Sequence, residues 1–193
     1  IIPTYNNEKT LERVIGGALI YTKSILVVND GATDSTPILL KKYPSLEQIH
    51  FPKNQGKGSA LRAGFKKAEQ LGYDYAITID SDGQHYPDDF GVFLDALEQA
   101  ENKNTLLIGA RNMTAAGAPK GNSFGNKFSN FWYWFETGIS LQDTQSGYRL
   151  YPVKKINEKN YFTTRFEFEI EVIVKAAWNG VEVKNVPIKV LYD

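Results

Sequence analysis

Two aspartates two residues apart, Asp80 and Asp82, have the spacing that most directly suggests chemistry. They follow an apolar run at residues 75–79, which is typical of a strand, and precede a polar run at residues 83–85. Carboxylates repel a diphosphate unless a cation lies between them, and Mg²⁺ or Mn²⁺ can take one or two carboxylates together with substrate phosphates. Because Asp, Ser and Gly also form ordinary turns, the motif alone is equally consistent with a surface turn.

A glycine-containing turn, Asn54-Gln55-Gly56-Lys57-Gly58, precedes a predicted helix at residues 59–71. Glycines let backbone amides approach a phosphate, a helix N-terminus attracts anions, and Lys57 adds a positive charge. The spacing matches neither the Walker loop nor the dinucleotide fingerprint. A flexible turn before a helix is therefore the alternative interpretation.

A third polar segment, residues 143–149, places an acid and a base around a turn. In a functional interpretation Asp143 faces an acceptor and Arg149 holds a phosphate, which guanidinium groups bind well. The alternative is a solvated turn with Arg149 in a surface ion pair. Of the two histidines, we expect His50 to be structural and His85, beside Asp82, to line the site.

Six of the eight residues at positions 128–135 are aromatic. Core packing is the first expectation for such a block. Amphipathic aromatic side chains also suit a membrane interface or a lipid-contacting groove. A platform on which a sugar stacks is the third interpretation.

Short apolar runs alternate with amphipathic segments through the first half of the chain. The predicted strands are residues 25–28, 75–79 and 105–108. The predicted helices are residues 59–71 and 87–100. A further helix is predicted to begin at Pro37, with Thr36 as its N-cap. This alternation predicts an α/β fold with a mainly parallel central sheet and helices on both faces. In the second half we expect a loop at residues 115–126, a helix at 166–178, and two short strands around Pro187 within residues 181–191.

Polar segments follow three of the predicted strands, at residues 29–31, 80–82 and 109–111. In open α/β sheets ligands bind beyond the carboxyl ends of the strands, so we expect these segments to meet at one edge. No linker divides the chain. We expect a single domain, 1–193, with a nucleotide-sugar and metal half at 1–112 and an acceptor half at 113–193.

The composition excludes several classes of protein. The chain has 193 residues with 22 Lys plus Arg and 22 Asp plus Glu, which argues against a general nucleic-acid binder. The absence of cysteine excludes a disulfide scaffold and a Cys-ligated zinc site. Without a long apolar run or a secretory signal, we expect a cytoplasmic location that includes the inner face of the membrane. The chain begins without Met, so we expect a fragment whose flanking segments can include a membrane anchor.

Taken in order, the motifs resemble those of a known family. They are residues 2–8, 28–34, 54–58, 80–85, 109–111 and 143–149, which together extend over most of the chain. The ordered set resembles the family 2 glycosyltransferases of the GT-A fold, and is most similar to the dolichyl- or polyprenyl-phosphate mannose and glucose synthase group. Any one motif is weakly specific, whereas the ordered set is highly specific.

The resemblance implies a role for each matching position. The nucleoside pocket would be lined by Pro3, Tyr5 and Glu8, and Asp30 would accept a hydrogen bond from the base. The diphosphate would lie near Lys57 and Gly58, and Mg²⁺ or Mn²⁺ would be bound by Asp80, Asp82 and Gln84. Arg111 would lie between donor and acceptor, and Asp143 would be an acid near the acceptor. Asn7 and Asn29 stand where the family usually has an acid, which leaves the preference between UDP- and GDP-sugars open.

The implied reaction is an inverting transfer of a hexose from a nucleotide-sugar donor in one displacement. We expect an oxocarbenium-like transition state and a metal that stabilises the leaving diphosphate. A phosphate acceptor is largely ionised at neutral pH and needs cations such as Arg111 or Arg149, whereas a hydroxyl acceptor needs a base, for which Asp143 is the candidate. The resemblance and the aromatic block favour a polyprenyl phosphate acceptor, with contact to a membrane surface.

Three alternatives stay open at this point. One is transfer to a hydroxyl group of a polysaccharide or glycolipid. Another is a sugar nucleotidyltransferase, which would need a glycine-rich triphosphate loop near the N-terminus that residues 6–9 do not resemble. The last is a non-catalytic binding module, which the presence of both Asp80 and Asp82 disfavours.

Overall fold

The computed structural model describes residues 1–111 and 120–190; the side chains of residues 120–124 and 126 are outside this description. The strands are β1 (Ile2–Thr4), β2 (Leu26–Asn29), β3 (Glu47–His50), β4 (Tyr75–Thr78), β5 (Thr105–Arg111), β6 (Arg149–Pro152) and β7 (Glu182–Ile188). The helices are α1 (Leu11–Leu19), α2 (Thr36–Leu40), α3 (Lys57–Gln70), α4 (Phe90–Gln99), α5 (Lys120–Thr137), α6 (Val153–Asn157) and α7 (Phe168–Trp178), with a 3₁₀ turn, Pro87–Asp89, before α4.

The strands form two sheets that meet side by side. One is parallel with the order β1-β2-β3, and the other has the order β4-β6-β5-β7. In the second sheet β5 and β7 are parallel, while β6 is antiparallel to both of its neighbours. The Ile79 amide donates to the carbonyl oxygen of Ile1 at 3.1 Å, which joins the edge of the first sheet to the end of β4. The predicted α/β class is confirmed, with one antiparallel strand inserted.

Helices cover both faces of the second sheet, as predicted. Leu106 and Ile108 of β5 belong to a core with side chains of α3 and α7, whereas Leu107 belongs to a core with side chains of α1 and α4. Successive side chains of a strand point to opposite faces, so this division shows a sheet buried on both sides. Such a sheet leaves its strand ends as the place where polar groups can gather.

Two predicted strand boundaries are wrong. β5 continues to Arg111, so residues 109–111 lie within the strand instead of after it. The chain around Pro187 forms one strand, β7, in which Pro187 lies beside Ala110. Since β7 is the edge strand, the missing amide hydrogen of Pro187 breaks no pairing within the sheet.

The predicted helix boundaries also need correction. Residues 115–119 of the expected loop lie outside the described residues, but from Lys120 the chain is helical. Gly and Asn each cost a helix about 0.5–1 kcal/mol relative to Ala, and here packing of α5 against α7, which fully buries Tyr133, outweighs that cost. In α2, Thr36 is the first helical residue, and the Asp34 carboxylate accepts from its amide at 2.9 Å.

Candidate active site

A cavity of about 430 Å³ opens where β1, β2 and β4 end. Its lining residues are Pro3, Thr4, Tyr5, Asn7, Asp30, Asn54, Gly56, Lys57, Ala60, Asp80, Ser81, Asp82, Arg165 and Phe166. Two of the three polar segments expected at this edge therefore meet here, namely those after β2 and β4. The third, at residues 109–111, does not line the cavity in the described part of the chain.

The two aspartates of the acidic motif line the same cavity but have different partners. Asp80 lies 2.6 Å from the ammonium of Lys57, measured between Oδ1 and Nζ. The Oδ1 of Asp82 accepts from the Gln84 amide at 2.9 Å, in the kind of local turn that aspartates favour. Asp82 is exposed, so one of its carboxylate oxygens remains accessible to solvent and to ligands.

Lys57 lies between two carboxylates. Besides Asp80, its Nζ contacts Glu169 Oε2 at 2.9 Å, and only 15% of its side chain is exposed. Burial alone would raise the pKa of the Asp80 carboxyl, but the adjacent ammonium outweighs burial and holds that pKa below its ordinary value. Burial would likewise lower the pKa of Lys57, yet the two carboxylates raise it. Lys57 and Asp80 are therefore both ionised at neutral pH.

The glycine turn is held in place by Asp30. The two oxygens of this buried carboxylate accept from the amides of Gln55 at 2.7 Å and Gly56 at 2.9 Å. Gly56 has a φ of 94°, a conformation that glycine adopts without strain. Asp30 thus joins the end of β2 to the start of α3, which brings Lys57 to the acidic motif. Its predicted hydrogen bond to a base stays a prediction.

Gly147 lets the segment at residues 143–149 approach the acidic motif. A Cβ atom at this position would overlap the carboxylate of Asp80. The carbonyl oxygen of Gly147 also accepts from the Thr78 hydroxyl at 2.8 Å. The segment therefore packs directly behind Asp80, and no larger residue fits between them.

Arg111 and Asp143 form a bidentate ion pair. The guanidinium contacts the carboxylate at 2.6 Å from Nε and at 3.0 Å from Nη2. The Asp143 side chain is 1% exposed and also accepts from the Gln145 amide. Burial alone would raise the pKa of Asp143, but Arg111 holds it below the usual range. Asp143 is thus a weak base whose oxygens already accept hydrogen bonds.

Arg149 is fully buried and does not reach the cavity. Its guanidinium donates to the carbonyl oxygens of Ser146 at 2.6 Å, Glu169 at 2.7 Å and Thr144 at 2.9 Å. The expectation that Arg149 binds a phosphate directly is contradicted by this geometry, because its donors are used inside the protein. Arg149 instead joins the turn at residues 143–149 to α7.

Two other predicted positions, Glu8 and Gly58, differ from expectation, and the role of Gln84 is untested. Glu8 does not line the cavity; its carboxylate accepts from the Ser35 amide at 2.8 Å, at the start of α2. Gly58 packs against Thr164 and Phe168 instead of facing the cavity. Gln84 is exposed and contributes its backbone to the turn with Asp82, so its role as a metal ligand stays a prediction.

Of the two histidines, only His85 lies away from its expected place. His50 lies at the end of β3 and pairs with Asn29 at 3.2 Å, in keeping with a structural role. His85 is buried beside the ring of Tyr148 and does not line the cavity. Burial lowers its pKa despite the two nearby aspartates.

Sequence reasoning missed several lining residues. Asn7 donates to the Ser81 hydroxyl at 2.8 Å and so supports the acidic turn. Arg165 and Phe166 come from a segment about 80 residues beyond the acidic motif. No local motif marks these two residues. The signal was indirect: two glycines at 56 and 58, which permit a second segment to pack closely.

The residues present fit a divalent cation held partly by a ligand. Within residues 1–111 and 120–190, no group of three or more His, Asp or Glu side chains is arranged to hold a metal ion. Asp80 and Asp82 nevertheless supply two carboxylates on one cavity wall, and Lys57 already places a cation at Asp80. Two carboxylates completed by substrate phosphates form a usual magnesium site.

The aromatic block forms an exposed face on α5. Tyr133 is buried, whereas the other five side chains are between 47% and 65% exposed: Phe128, Phe131, Trp132, Trp134 and Phe135. The expectation of core packing is therefore wrong for all but Tyr133. None of the described helices combines the length and the apolar composition that a membrane span requires.

Comparison with known families identifies the family of this chain. A profile described as Glycosyl transferase family 2 matches residues 1–158, which include β1 to β6 and the whole acidic motif. The chain belongs to glycosyl transferase family 2. It is therefore a glycosyltransferase by family, as the ordered motifs indicated.

Two of the similar curated proteins have names that refer to a dolichyl phosphate or a polyprenol. The UDP-N-acetylglucosamine–dolichyl-phosphate N-acetylglucosaminyltransferase of Methanococcus voltae is 28% identical, over 100% of this chain and 84% of that protein. The polyprenol monophosphomannose synthase of Mycolicibacterium smegmatis is 30% identical, over 97% of this chain and 75% of that protein.

Solved structures support the fold. Glucosyl-3-phosphoglycerate synthase from Mycobacterium tuberculosis, in complex with Mn²⁺, uridine diphosphate and phosphoglyceric acid, superposes with a TM-score of 0.75. The two chains are 18% identical, and the match covers 100% of this chain and 69% of that one. At this identity the likeness concerns the fold, and it confirms the predicted GT-A architecture.

Proposed function

We propose that this glycosyltransferase moves a hexose from a nucleotide-sugar donor to a polyprenyl phosphate. The observation that carries the donor side is the cavity itself, where three carboxylates, a lysine and a glycine turn meet at the ends of three strands. This combination suits a nucleoside diphosphate, because cations balance the negative charge of its phosphates and the backbone amides of the glycine turn can approach them closely. The relatives named above support the acceptor.

The chain's own residues would divide the work on the donor. Pro3 and Tyr5 would hold the nucleoside at the end of β1, beside Asp30. Lys57 would balance the charge near the diphosphate while Glu169 keeps its ammonium in place. The anomeric carbon would then be open to attack from the face opposite the diphosphate, which gives inversion.

We further propose that the enzyme depends on Mg²⁺ or Mn²⁺ held by Asp80 and Asp82. A bound divalent cation would supply Lewis-acid stabilisation of the leaving diphosphate. Asp82 is exposed within the cavity, and Asp80 is ionised beside Lys57. The solved complexes of the structural neighbour with Mn²⁺ or Mg²⁺ and uridine diphosphate support this assignment.

A phosphate acceptor suits the Arg111–Asp143 pair better than a hydroxyl acceptor does. A phosphate monoester has a second pKa of about 6, so it attacks without a base. Asp143, buried and held by Arg111, is poorly placed to remove a proton. In this proposal Asp143 orients Arg111, and Arg111 attracts the acceptor phosphate.

We also propose that the exposed face of α5 contacts the membrane that contains the acceptor. Its Trp and Phe side chains combine large apolar surfaces with, for Trp, a polar edge that suits the lipid headgroup region. Protein bound to vesicles of anionic lipid should fall in the variant Trp132→Ser/Phe135→Ser. Ile38→Ser, at a residue that is 67% exposed on α2, is the matched control. Equal vesicle binding by all three proteins would contradict this role for α5.

Titration calorimetry tests the donor proposal. We expect UDP-glucose or GDP-mannose to bind in the presence of Mn²⁺, and the binding to be lost in Asp82→Ala. Asp95→Asn, at an exposed acid of α4, is the control and should bind as the wild type does. Binding that ignores both Mn²⁺ and Asp82 would contradict the metal assignment, and transfer to a hydroxyl but not to a polyprenyl phosphate would contradict the acceptor.

A further inference from the structure

The charges lining the donor cavity are unevenly paired. Three carboxylates line it, from Asp30, Asp80 and Asp82, together with two cations, Lys57 and Arg165. Lys57 already contacts two carboxylates, one in the cavity wall and Glu169 behind it. Across residues 1–111 and 120–190, Arg165 has no ion pair with a carboxylate. A diphosphate that enters the cavity therefore meets one ammonium that already contacts two carboxylates and one guanidinium whose donors are available.

The glycine turn holds the backbone that carries Arg165. The carbonyl oxygen of Thr164 accepts from the Ser59 amide at 3.0 Å, in the first turn of α3. A Cβ atom on Gly56 would lie 2.5 Å from that oxygen and 2.8 Å from Cγ of Arg165. A Cβ atom on Gly58 would lie 2.9 Å from the carbonyl oxygen of Arg165. The glycines thus serve close packing against residues 164–165.

A second contact holds the same segment from α7. The Glu171 carboxylate accepts from the amides of Phe162 at 3.0 Å and Thr163 at 2.9 Å, and from the Lys175 ammonium at 2.6 Å. Burial alone would raise the pKa of Glu171, but these hydrogen bonds lower it to about 2. The Lys175 ammonium also lies 4.2 Å from the centre of the Phe162 ring. Residues 162–165 are therefore fixed at both ends before any ligand binds.

We propose that Arg165 binds the diphosphate of the nucleotide-sugar donor, and that Glu171 acts as the residue that positions it. Arg165 shares its cavity with Tyr5 and Asp30, on the donor side, whereas the Arg111–Asp143 pair lies outside that lining. A guanidinium forms paired hydrogen bonds with phosphate oxygens, and a fixed backbone reduces the entropy lost on binding. This inference rests on the proposed function.

The test is the affinity of Mn²⁺-loaded protein for UDP and GDP, compared with uridine and guanosine. Arg165→Ala should weaken binding of the preferred diphosphate about tenfold or more, since a hydrogen bond to a charged group is lost. It should leave nucleoside binding within about twofold, because the nucleoside carries no phosphate. Arg165→Lys should recover part of the loss. Lys66→Ala, at an exposed lysine of α3 outside the cavity lining, is the control and should bind as the wild type does.

The positioning role of Glu171 has a separate readout. Glu171→Gln should weaken diphosphate binding less than Arg165→Ala does. The double variant should bind no more weakly than Arg165→Ala alone, because Glu171 acts through Arg165. Additive losses in the double variant would overturn the positioning role while leaving the diphosphate contact in place.

Each remaining outcome separates the two proposals. Equal diphosphate affinity for Arg165→Ala and the wild type would overturn the inference and keep the proposed function. An equal loss for diphosphate and nucleoside would show a structural effect and also overturn it. A raised KM for polyprenyl phosphate with unchanged diphosphate affinity would assign Arg165 to the acceptor instead. No binding of UDP or GDP to the wild type would overturn the proposed function together with this inference.

Discussion

The donor cavity and the turn at residues 143–149 hold similar charged groups in opposite ways. In the cavity, the side chains of Lys57 and Asp80 are 15% and 22% exposed and face a space that a ligand can enter. In the turn, those of Asp143 and Arg149 are 1% and 0% exposed, and backbone groups or Arg111 use their polar atoms. An acidic and a basic side chain thus make a reactive surface at one place and a scaffold at the other.

This difference arises from where each charge finds its partner. A side chain that is paired only with other side chains at a cavity wall can exchange partners when a charged ligand arrives. A buried guanidinium that donates to several carbonyl oxygens cannot change partners in this way, because those oxygens would then be left without a hydrogen bond. We therefore expect substitutions in the cavity to change activity and substitutions in the turn to change stability.

The largest expected effect is on the cavity side. Asp82→Ala should lower kcat/KM for sugar transfer by about 100-fold or more, because one of the two proposed metal ligands is lost. Its free energy of unfolding should stay within about 0.5 kcal/mol of the wild type, as for other exposed sites. Steady-state kinetics and urea unfolding measure both quantities. A variant that loses stability but keeps its activity would reverse the comparison.

On the scaffold side, Arg149→Met should lower the free energy of unfolding by about 3–5 kcal/mol. Three carbonyl oxygens would lose their donor, and Glu169 would lose a cation 3.9 Å from its carboxylate. Lys154→Met, at an exposed lysine of α6, should change unfolding by less than about 0.5 kcal/mol. If Arg149→Met were as stable as this control, the scaffold role would be wrong.

Gly147→Ala tests the contact between the two regions. The added Cβ would overlap the Asp80 carboxylate, so we expect a loss of about 1–3 kcal/mol in unfolding together with a lower kcat. Gly91→Ala in α4 meets no atom within 4 Å and should stabilise the protein by about 0.5–1 kcal/mol. Unfolding in urea compares the two. Full activity in Gly147→Ala would show that Asp80 moves freely.

The smallest expected effect sharpens the acceptor assignment. Asp143→Asn should lower kcat by less than about tenfold if the acceptor is a phosphate, since loss of a general base would cost about 100-fold or more. The ratio of the wild-type kcat to the kcat of Asp143→Asn at pH 7 decides between a phosphate acceptor and a hydroxyl acceptor.

The same variant has a pH dependence with a definite sign. Because Arg111 lowers the folded-state pKa of Asp143, this carboxylate stabilises the wild type fully above its unfolded pKa of about 3.9. That contribution is lost as the pH falls through the lower folded-state value. The difference in unfolding free energy between wild type and Asp143→Asn should therefore shrink below about pH 4. A constant difference down to pH 2 would contradict the ion pair.

The donor side of this protein was largely predictable from its sequence. The α/β class, the strand before Asp80, the helix after the glycine turn and the family all follow from local patterns. Side-chain periodicity and turn residues encode these features within short stretches of chain. The meeting of residues 29–31 and 80–82 follows as well, since parallel strands end at the same edge.

What the sequence could not determine depends on contacts between distant segments. The burial of Arg149, the exposure of the α5 aromatics and the arrival of Arg165 at the donor cavity each depend on which elements pack together. A motif states which charges are present, but neighbours from elsewhere in the chain decide whether a charge faces solvent or carbonyl oxygens. For Asp80 that decision left a charge available for chemistry, and for Arg149 it made the charge part of the scaffold.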